Sequence, residues 1–139
     1  RSAAASDVYK RHNYIEKDSE STEALRVGFE SNSENLGLIL EKYEGMSPVH
    51  SLNNLSIVVW AFLSFQDSFD EAIGEAVAAG WDTDCNGATV GSVIGAIHGA
   101  RALPDEWIGP FNNKVRSMVA GFDGASISSL ADRTLAFMK

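Results

Sequence analysis

The stretch that decides the fold reads Ala79-Gly80-Trp81-Asp82-Thr83-Asp84-Cys85-Asn86-Gly87-Ala88-Thr89-Val90-Gly91-Ser92-Val93-Ile94-Gly95-Ala96. In its second half and just beyond it, glycine recurs at every fourth residue, as Gly87, Gly91, Gly95 and Gly99. This spacing falls on one face of an α-helix, where each glycine costs about 0.5–1 kcal/mol relative to alanine. Such a stripe is typical of a helix whose backbone is approached closely by another helix or a ligand. The stretch predicts a buried, central helix from about Gly87 to Arg101, rather than a strand over Thr89 to Ile97.

Two carboxylates, Asp82 and Asp84, stand at the entrance to this helix. On a loop or a first helical turn, residues two apart can aim both side chains at one point. Carboxylate oxygens are the ligands that hard cations such as Mg²⁺ and Mn²⁺ prefer. The alternative is that both aspartates cap the helix and complement its dipole. Spacing alone favours this capping interpretation.

The segments before the glycine-rich helix also predict helices. One is expected over Thr22 to Phe29. A second, Asn35 to Tyr43, carries a three- and four-residue apolar spacing that indicates one buried stripe, formed by Leu36, Ile39, Leu40 and Tyr43. A strongly apolar helix is expected over Leu55 to Phe65, with Asn53 or Asn54 as its cap.

Ser68 and Glu71 have the spacing of a capping box at the start of the next helix. We expect this helix to reach about Ala79 and to end at Gly80. Its buried face is expected to carry Ala72, Ile73, Ala76 and Val77.

After the glycine-rich helix, Pro104 suits the first turn of a short helix over Asp105 to Trp107. A loop is expected over Gly121 to Gly124, followed by a last helix to Met138 that Ser126 or Ser128 would cap. The core candidates in that helix are Leu130, Leu135 and Phe137. No segment alternates convincingly as a strand, so the predicted class is all-α, a compact multi-helix bundle.

Composition narrows the function classes. The chain has 139 residues, 45 % apolar and 22 % charged, which suits one globular core. Its net charge of −8 argues against nucleic-acid binding, and no apolar run reaches the roughly 18 residues that span a membrane. Cys85 is the only cysteine, so we expect no intrachain disulfide and a cytoplasmic location. Residues 1–18 are expected to form a charged, flexible segment, and residues 19–139 the helical region.

The opening stretch resembles the signature of the ADP-ribosylglycohydrolase family, which includes the dinitrogenase-reductase-activating glycohydrolases. Further segments resemble the family in the same order, namely Val49-His50-Ser51-Leu52-Asn53-Asn54, Leu103-Pro104-Asp105-Glu106-Trp107, Gly121-Phe122-Asp123, Ile127 and Leu130-Ala131-Asp132-Arg133-Thr134. The resemblance covers about residues 35–139. It implies an all-helical fold of which this chain is the C-terminal portion.

The resemblance also implies a chemistry. The family holds two divalent cations, Mg²⁺ or Mn²⁺, in a central cleft and hydrolyses the glycosidic bond that joins ADP-ribose to a protein side chain or a small molecule. It places Asp82 and Asp84 among the metal ligands. Many members have a threonine where Cys85 stands, and a protonated thiol is a poor ligand for a hard ion. The site is therefore either one ligand short or completed by water or Thr83.

The family draws further ligands from an N-terminal Thr-Asp-Asp-type motif that this sequence, which begins at Arg1, does not contain. Two carboxylates cannot fill the coordination spheres of two six-coordinate ions. We therefore expect an incomplete site and an inactive chain unless another polypeptide supplies the missing half. The alternatives are a non-catalytic binding or structural relative, and a chain that associates with itself to cover apolar surface.

Four more residues are candidates near the substrate. His50, Asn53 and Asn54 form either a loop that caps the following helix or a polar cleft wall, and the sequence leaves both open. Trp81 either belongs to the core or stacks on adenine. His98, inside the glycine-rich helix, is expected to be a packed, hydrogen-bonded histidine. No catalytic base or nucleophile is identified.

Overall fold

The computed structural model describes residues 16–31 and 35–138. Its helices are α1 (Glu20–Glu30), α2 (Gly37–Lys42), α3 (Ser51–Phe65), α4 (Phe69–Ala78), α5 (Thr83–His98), α6 (Asp105–Ile108) and α7 (Ile127–Ala136), with a 3₁₀ turn at Gly109–Phe111. The predicted all-α class is confirmed. One detail was not predicted, an antiparallel pair of two-residue strands, β1 (Lys114–Val115) and β2 (Ala125–Ser126). The described part of the chain divides into two compact units, one that ends at Gly99 and one that begins at Ala100.

The core of the first unit is built around α3, which contacts α1, α2, α4 and α5. The largest fully buried side chains include Trp60 and Ile57 of α3 and Ile94 of α5. The prediction that the glycine-rich helix is the central one is therefore wrong. Helix α5 buries one face, while Val93 and Ile97 on another face are 40 % and 58 % exposed.

The glycine stripe does mark a close approach between helices. A Cβ atom added at Gly87 would lie 3.0 Å from Cγ2 of Val77, and one added at Gly91 would lie 3.1 Å from Cδ1 of Ile73. Both neighbours belong to α4, so the small face of α5 lets α4 pack against its backbone. Gly99 has a different role, because it ends the helix with a φ of +77°.

A closer approach lies where the sequence pattern gave no signal. A Cβ atom at Gly28 of α1 would stand 2.6 Å from the backbone oxygen of Ser56 and 2.9 Å from Cβ of Val59. Real Cβ atoms do not come that close to backbone atoms. The α1–α3 crossing therefore depends on the missing side chain at Gly28.

The N-caps of α4 and α3 show which helix starts could be predicted from the local sequence. Ser68 is the N-cap of α4 as predicted, and its Oγ accepts from the N–H of Glu71 at 3.3 Å. The N–H of Ser68, which a capping box would bond to Glu71, instead donates to the carbonyl of Phe65 at 3.0 Å. Asn53 and Asn54 are not caps: α3 begins at Ser51, and Nδ1 of His50 accepts from the N–H of Leu52 at 3.2 Å. The imidazole fills the position that the prediction gave to an amide.

Two residues expected on buried stripes lie at the margins of those stripes. Leu40 and Val77 are each 42 % exposed, although Ile39 and Tyr43 of the same stripe as Leu40 are buried. Three- and four-residue spacing indicates which side of a helix is apolar, but not how wide the covering element is.

The second unit has little interior. Its described part, residues 100–138, contains no fully buried residue. Helix α7 is capped by Ser126, whose Oγ accepts from the N–H of Ser129 at 3.2 Å, and it ends at Ala136. Leu135 and Phe137, predicted as core, are 56 % and 91 % exposed. An amphipathic pattern predicts an apolar side, and burial also requires an element that covers it.

Two expectations from the sequence need separate mention. The charged segment predicted over residues 1–18 lies mostly outside the described residues. Within the described ranges, no helix combines the length and the apolar character that crossing a membrane requires.

Candidate metal centre

The candidate site comprises residues 80–86, that is, the end of the turn between α4 and α5 and the first turn of α5, and we call this segment the acidic turn. Gly80 and Trp81 have φ angles of +89° and +56°, so two successive residues adopt the left-handed region. That conformation costs a residue with a side chain about 1–2 kcal/mol. Trp81 is held in it by packing, since its half-buried side chain lies against the hydrophobic core. This packing agrees with the core interpretation of Trp81.

Three potential ligands converge in the acidic turn. Carboxylate oxygens of Asp82 and Asp84 and the sulfur of Cys85 all lie within 4.8 Å of one another. Oxygens that share one Mg²⁺ at about 2.1 Å can be at most about 4.2 Å apart. Because Asp84 and Cys85 are exposed, small side-chain rotations would bring these groups around a single ion. The donor set of two carboxylates fits a hard divalent cation.

Asp82 does not act as a helix cap, although it occupies the N-cap position of α5. Its side chain accepts no hydrogen bond from the first amides of the helix. The carboxylate instead lies beside the sulfur of Cys85, within the same 4.8 Å group of potential ligand atoms. Asp84 lies in the first turn of α5, where a negative charge also complements the helix dipole. The capping interpretation therefore fails for Asp82, and the dipole part of it suits Asp84.

Cys85 is held as a thiol. The hydrogen bond to Asp82 and the charge of that carboxylate raise the pKa of Cys85 above its usual value, with smaller contributions from desolvation and from Asp84. A protonated thiol is both a weak ligand for Mg²⁺ and a weak nucleophile. Thr83, the other secondary ligand candidate, is half-buried and donates its backbone N–H to the carbonyl of Trp81 at 3.0 Å.

The polar segment before α3 reaches the acidic turn through Asn54. This side chain is 8 % exposed, and its Oδ1 accepts from the backbone N–H of Asp82 at 3.2 Å and from Nδ2 of Asn86 at 2.7 Å. Asn53 is fully buried and donates to the carbonyl of Ser47. Neither amide forms an open cleft wall.

Asn86 belongs to the acidic turn, whereas His98 lies at the other end of α5. Asn86, 2 % exposed on the inner face of α5, was not singled out in the sequence, although a polar side chain beside two ligand candidates is a usable signal. His98 is a packed histidine as expected, because its Nε2 lies 2.8 Å from the carbonyl oxygen of Gln66.

Two surface cavities of about 370 and 320 Å³ lie elsewhere, along α1 and α2. Their lining residues include Glu23 and Lys42 and none from the acidic turn. Glu23 is paired with Arg26 and Lys42, and its hydrogen bonds to these two cations lower its pKa to about 2. The cations that line these cavities, Arg26 and Lys42, are already paired with carboxylates, so no free cation among the lining residues is left to select an anionic ligand.

Comparison with known proteins gives one match and two negative results. No curated protein and no solved structure matches the chain. A family model described as ADP-ribosylglycohydrolase matches residues 2–138, which extends the resemblance seen from about residue 35 to nearly the whole sequence. The chain therefore belongs to the ADP-ribosylglycohydrolase family.

Proposed function

We propose that the chain supplies one side of a metal-dependent site that hydrolyses an ADP-ribosyl, or related ribosyl, glycosidic bond. Membership of the family supports the hydrolase class. The observation that carries the metal part is the convergence of Asp82, Asp84 and Cys85 within 4.8 Å. The failure of Asp82 to bond to the helix amides adds to it, because a carboxylate with no capping function is available to a cation.

Asp82 and Asp84 would hold Mg²⁺ or Mn²⁺ as ligands, not as general bases. When bound, such an ion would orient the ribose hydroxyls and stabilise charge at the scissile bond. The backbone of the acidic turn is held in place, because Trp81 packs against the core and Asn54 accepts from the N–H of Asp82. The substrate would be an ADP-ribosylated protein or an ADP-ribose-like small molecule, and a cytoplasmic location stays a prediction.

Asp82 and Asp84 do not complete two six-coordinate ions. We propose that additional carboxylates approach the exposed side of the acidic turn from another part of the protein, from another polypeptide or from a second copy of the chain. This proposal accounts for the exposure of Asp84 and Cys85. The family's full dinuclear centre would then form only in the assembled protein.

Mn²⁺ titration tests the metal site. Calorimetry on the wild-type chain should show binding that Asp82→Asn and Asp84→Asn each abolish, because each change removes one anionic ligand. Asp105→Asn is the matched control, since Asp105 is an exposed aspartate in the first turn of α6. Equal Mn²⁺ binding by all four proteins would contradict the proposal. In an assembled, active form, Asp84→Ala should abolish metal-dependent release of ADP-ribose.

A non-catalytic role is the second candidate, and one observation favours it. Asp82 raises the pKa of the Cys85 thiol, so the third group of the cluster stays protonated and is a poor ligand for a hard ion. Calorimetry separates the two functions: a scaffold without a site should give no heat with Mn²⁺, with ADP-ribose, or with both together. Heat with Mn²⁺ that Asp84→Asn removes would exclude the scaffold interpretation.

A further inference from the structure

The side chain of Asn54 makes hydrogen bonds to several groups in and near the acidic turn. Its Oδ1 accepts from Asp82 and Asn86, while its Nδ2 faces the carbonyl oxygens of Pro48 and His50 at 2.7 and 2.8 Å. A third oxygen, Oδ1 of Asn53, lies 3.2 Å from the same Nδ2. Two donors face the oxygen and three acceptors face the nitrogen, so only one orientation of the amide satisfies its neighbours.

These bonds join three parts of the first unit at one buried point. The carbonyls of Pro48 and His50 belong to the loop before α3, Asn54 itself lies in the first turn of α3, and Asp82 and Asn86 belong to the acidic turn. The two bonds to the acidic turn span 28 and 32 residues of sequence. One side chain thus fixes the acidic turn against the central helix.

The bond to Asp82 follows directly after the two left-handed residues Gly80 and Trp81. A backbone in that region persists only where its surroundings hold it. The N–H of Asp82 is the first peptide group after Trp81, so the bond from it to Asn54 determines how Asp82 leaves the turn. The bond from Asn86 to Asn54 also holds the first turn of α5 against α3.

We propose that Asn54 is the positioning residue of the metal centre: it holds the backbone of Asp82 so that the two carboxylates of the acidic turn face one ion. This inference rests on the proposed function for the ion itself. Asn54 does not contact the ion; it acts through the peptide of Asp82 and the side chain of Asn86. Residues that orient metal ligands in this way commonly change metal affinity by about 10–100-fold when they are replaced.

Asn53 provides a matched control. It is the adjacent residue, it is also buried, and its side chain bonds to Ser47 and to Asn54 without reaching the acidic turn. When Asn53 is replaced, Nδ2 of Asn54 keeps the carbonyl oxygens of Pro48 and His50 as acceptors. Asn53→Ala and Asn54→Ala each remove one buried amide from the same helical turn. Both should lower the melting temperature, but only Asn54→Ala should disturb the site.

The experiment measures Mn²⁺ affinity of the whole chain by calorimetry, below the melting temperature of each variant. Asn54→Ala should weaken Mn²⁺ binding by at least about tenfold, and Asn53→Ala by less than about threefold. Equal affinities for Asn54→Ala and wild type, or equal losses in both variants, would overturn the proposal.

Hydrogen exchange without metal gives the second readout and separates this inference from the proposed function. The amide of Asp82 should exchange at least about tenfold faster in Asn54→Ala, measured relative to core amides of α3, and should be unchanged in Asn53→Ala. Asn54→Asp keeps an oxygen for both donors of the acidic turn, so it should restore protection at Asp82 even though it is less stable. Unchanged protection of the Asp82 amide in Asn54→Ala would refute the positioning role. If the Asp82 amide exchanges faster in Asn54→Ala as expected, but the wild-type chain does not bind Mn²⁺, only the proposed function is refuted.

Discussion

At the scale of single residues, the acidic turn departs from ordinary helix-start chemistry. An aspartate at an N-cap usually accepts from the amides of the next turn. Asp82 makes no such bond: its carboxylate lies near the sulfur of Cys85, and its own N–H donates to Asn54. The Asp82 carboxylate raises the pKa of the Cys85 thiol, which favours its protonated form.

The state of Cys85 can be tested through its reactivity. Because Asp82 contributes the main effects that raise the thiol's pKa, and Asp84 only the smallest, Asp82→Asn should lower that pKa far more than Asp84→Asn. Only the thiolate is alkylated, so the rate of reaction with iodoacetamide at pH 8 should rise clearly in Asp82→Asn. In wild type the rate should keep increasing above pH 9. Identical rate profiles for the two variants would show that the thiol does not interact with Asp82.

At the scale of elements, an interaction could be predicted from the sequence when its two partners are close together along the chain. The Ser68–Glu71 cap was predicted because both groups lie within one turn, and Gly80 as the end of α4 for the same reason. The position of Asn54 could not be predicted, since its partners in the acidic turn lie 28 and 32 residues away. The same holds for Gly28, whose neighbour Ser56 belongs to another helix.

The contrast between two helical glycines tests how tightly α1 packs on α3. Gly28→Ala places a methyl group against backbone and should destabilise the fold by about 1–3 kcal/mol, the usual range for overpacking. Gly74 of α4 has nothing within 4 Å of an added Cβ, so Gly74→Ala should stabilise by about 0.5–1 kcal/mol through helix propensity. Chemical denaturation measures both. A Gly28→Ala protein as stable as Gly74→Ala would mean that α1 and α3 are less closely packed than described.

At the scale of the whole molecule, the interior is distributed unevenly along the chain. Among the residues that the structure describes, those of the buried hydrophobic cluster all lie from Ala24 to Ile94. The second unit carries exposed apolar side chains, among them Met118, Val119 and Phe137. The sequence predicts the helix α7 correctly, but the predicted burial of its apolar side chains is wrong. A single sequence shows which side of α7 is apolar but not what covers that side.

Truncation tests this distribution. A chain ending at Gly99 should retain cooperative unfolding and lose less than about 1 kcal/mol, equivalent to a fall in melting temperature of no more than about 4–8 °C. Residues 100–139 alone should be unfolded by circular dichroism, because so short a segment rarely builds a stable core without metals, disulfides or a partner. Loss of cooperative unfolding in the truncated chain would show that the first unit depends on the second.

The exposed apolar residues of the second unit also bear on self-association. In sedimentation velocity at rising concentration, the full chain should show a larger increase in sedimentation coefficient than the chain ending at Gly99. Apolar patches left uncovered promote such contacts. A full chain that stays monomeric at high concentration would argue against self-association as the way the site is completed.

The attachment of the acidic turn to α3 by one amide has a thermodynamic consequence. If an ion binds only when the turn is ordered, and the turn is ordered only when α3 is in place, then ion binding and folding are linked equilibria. Ion at 100 times its dissociation constant would then add about 2.7 kcal/mol to the free energy of unfolding. Cells short of the metal would hold a less durable protein, so metal supply would set the lifetime of the chain as well as its chemistry.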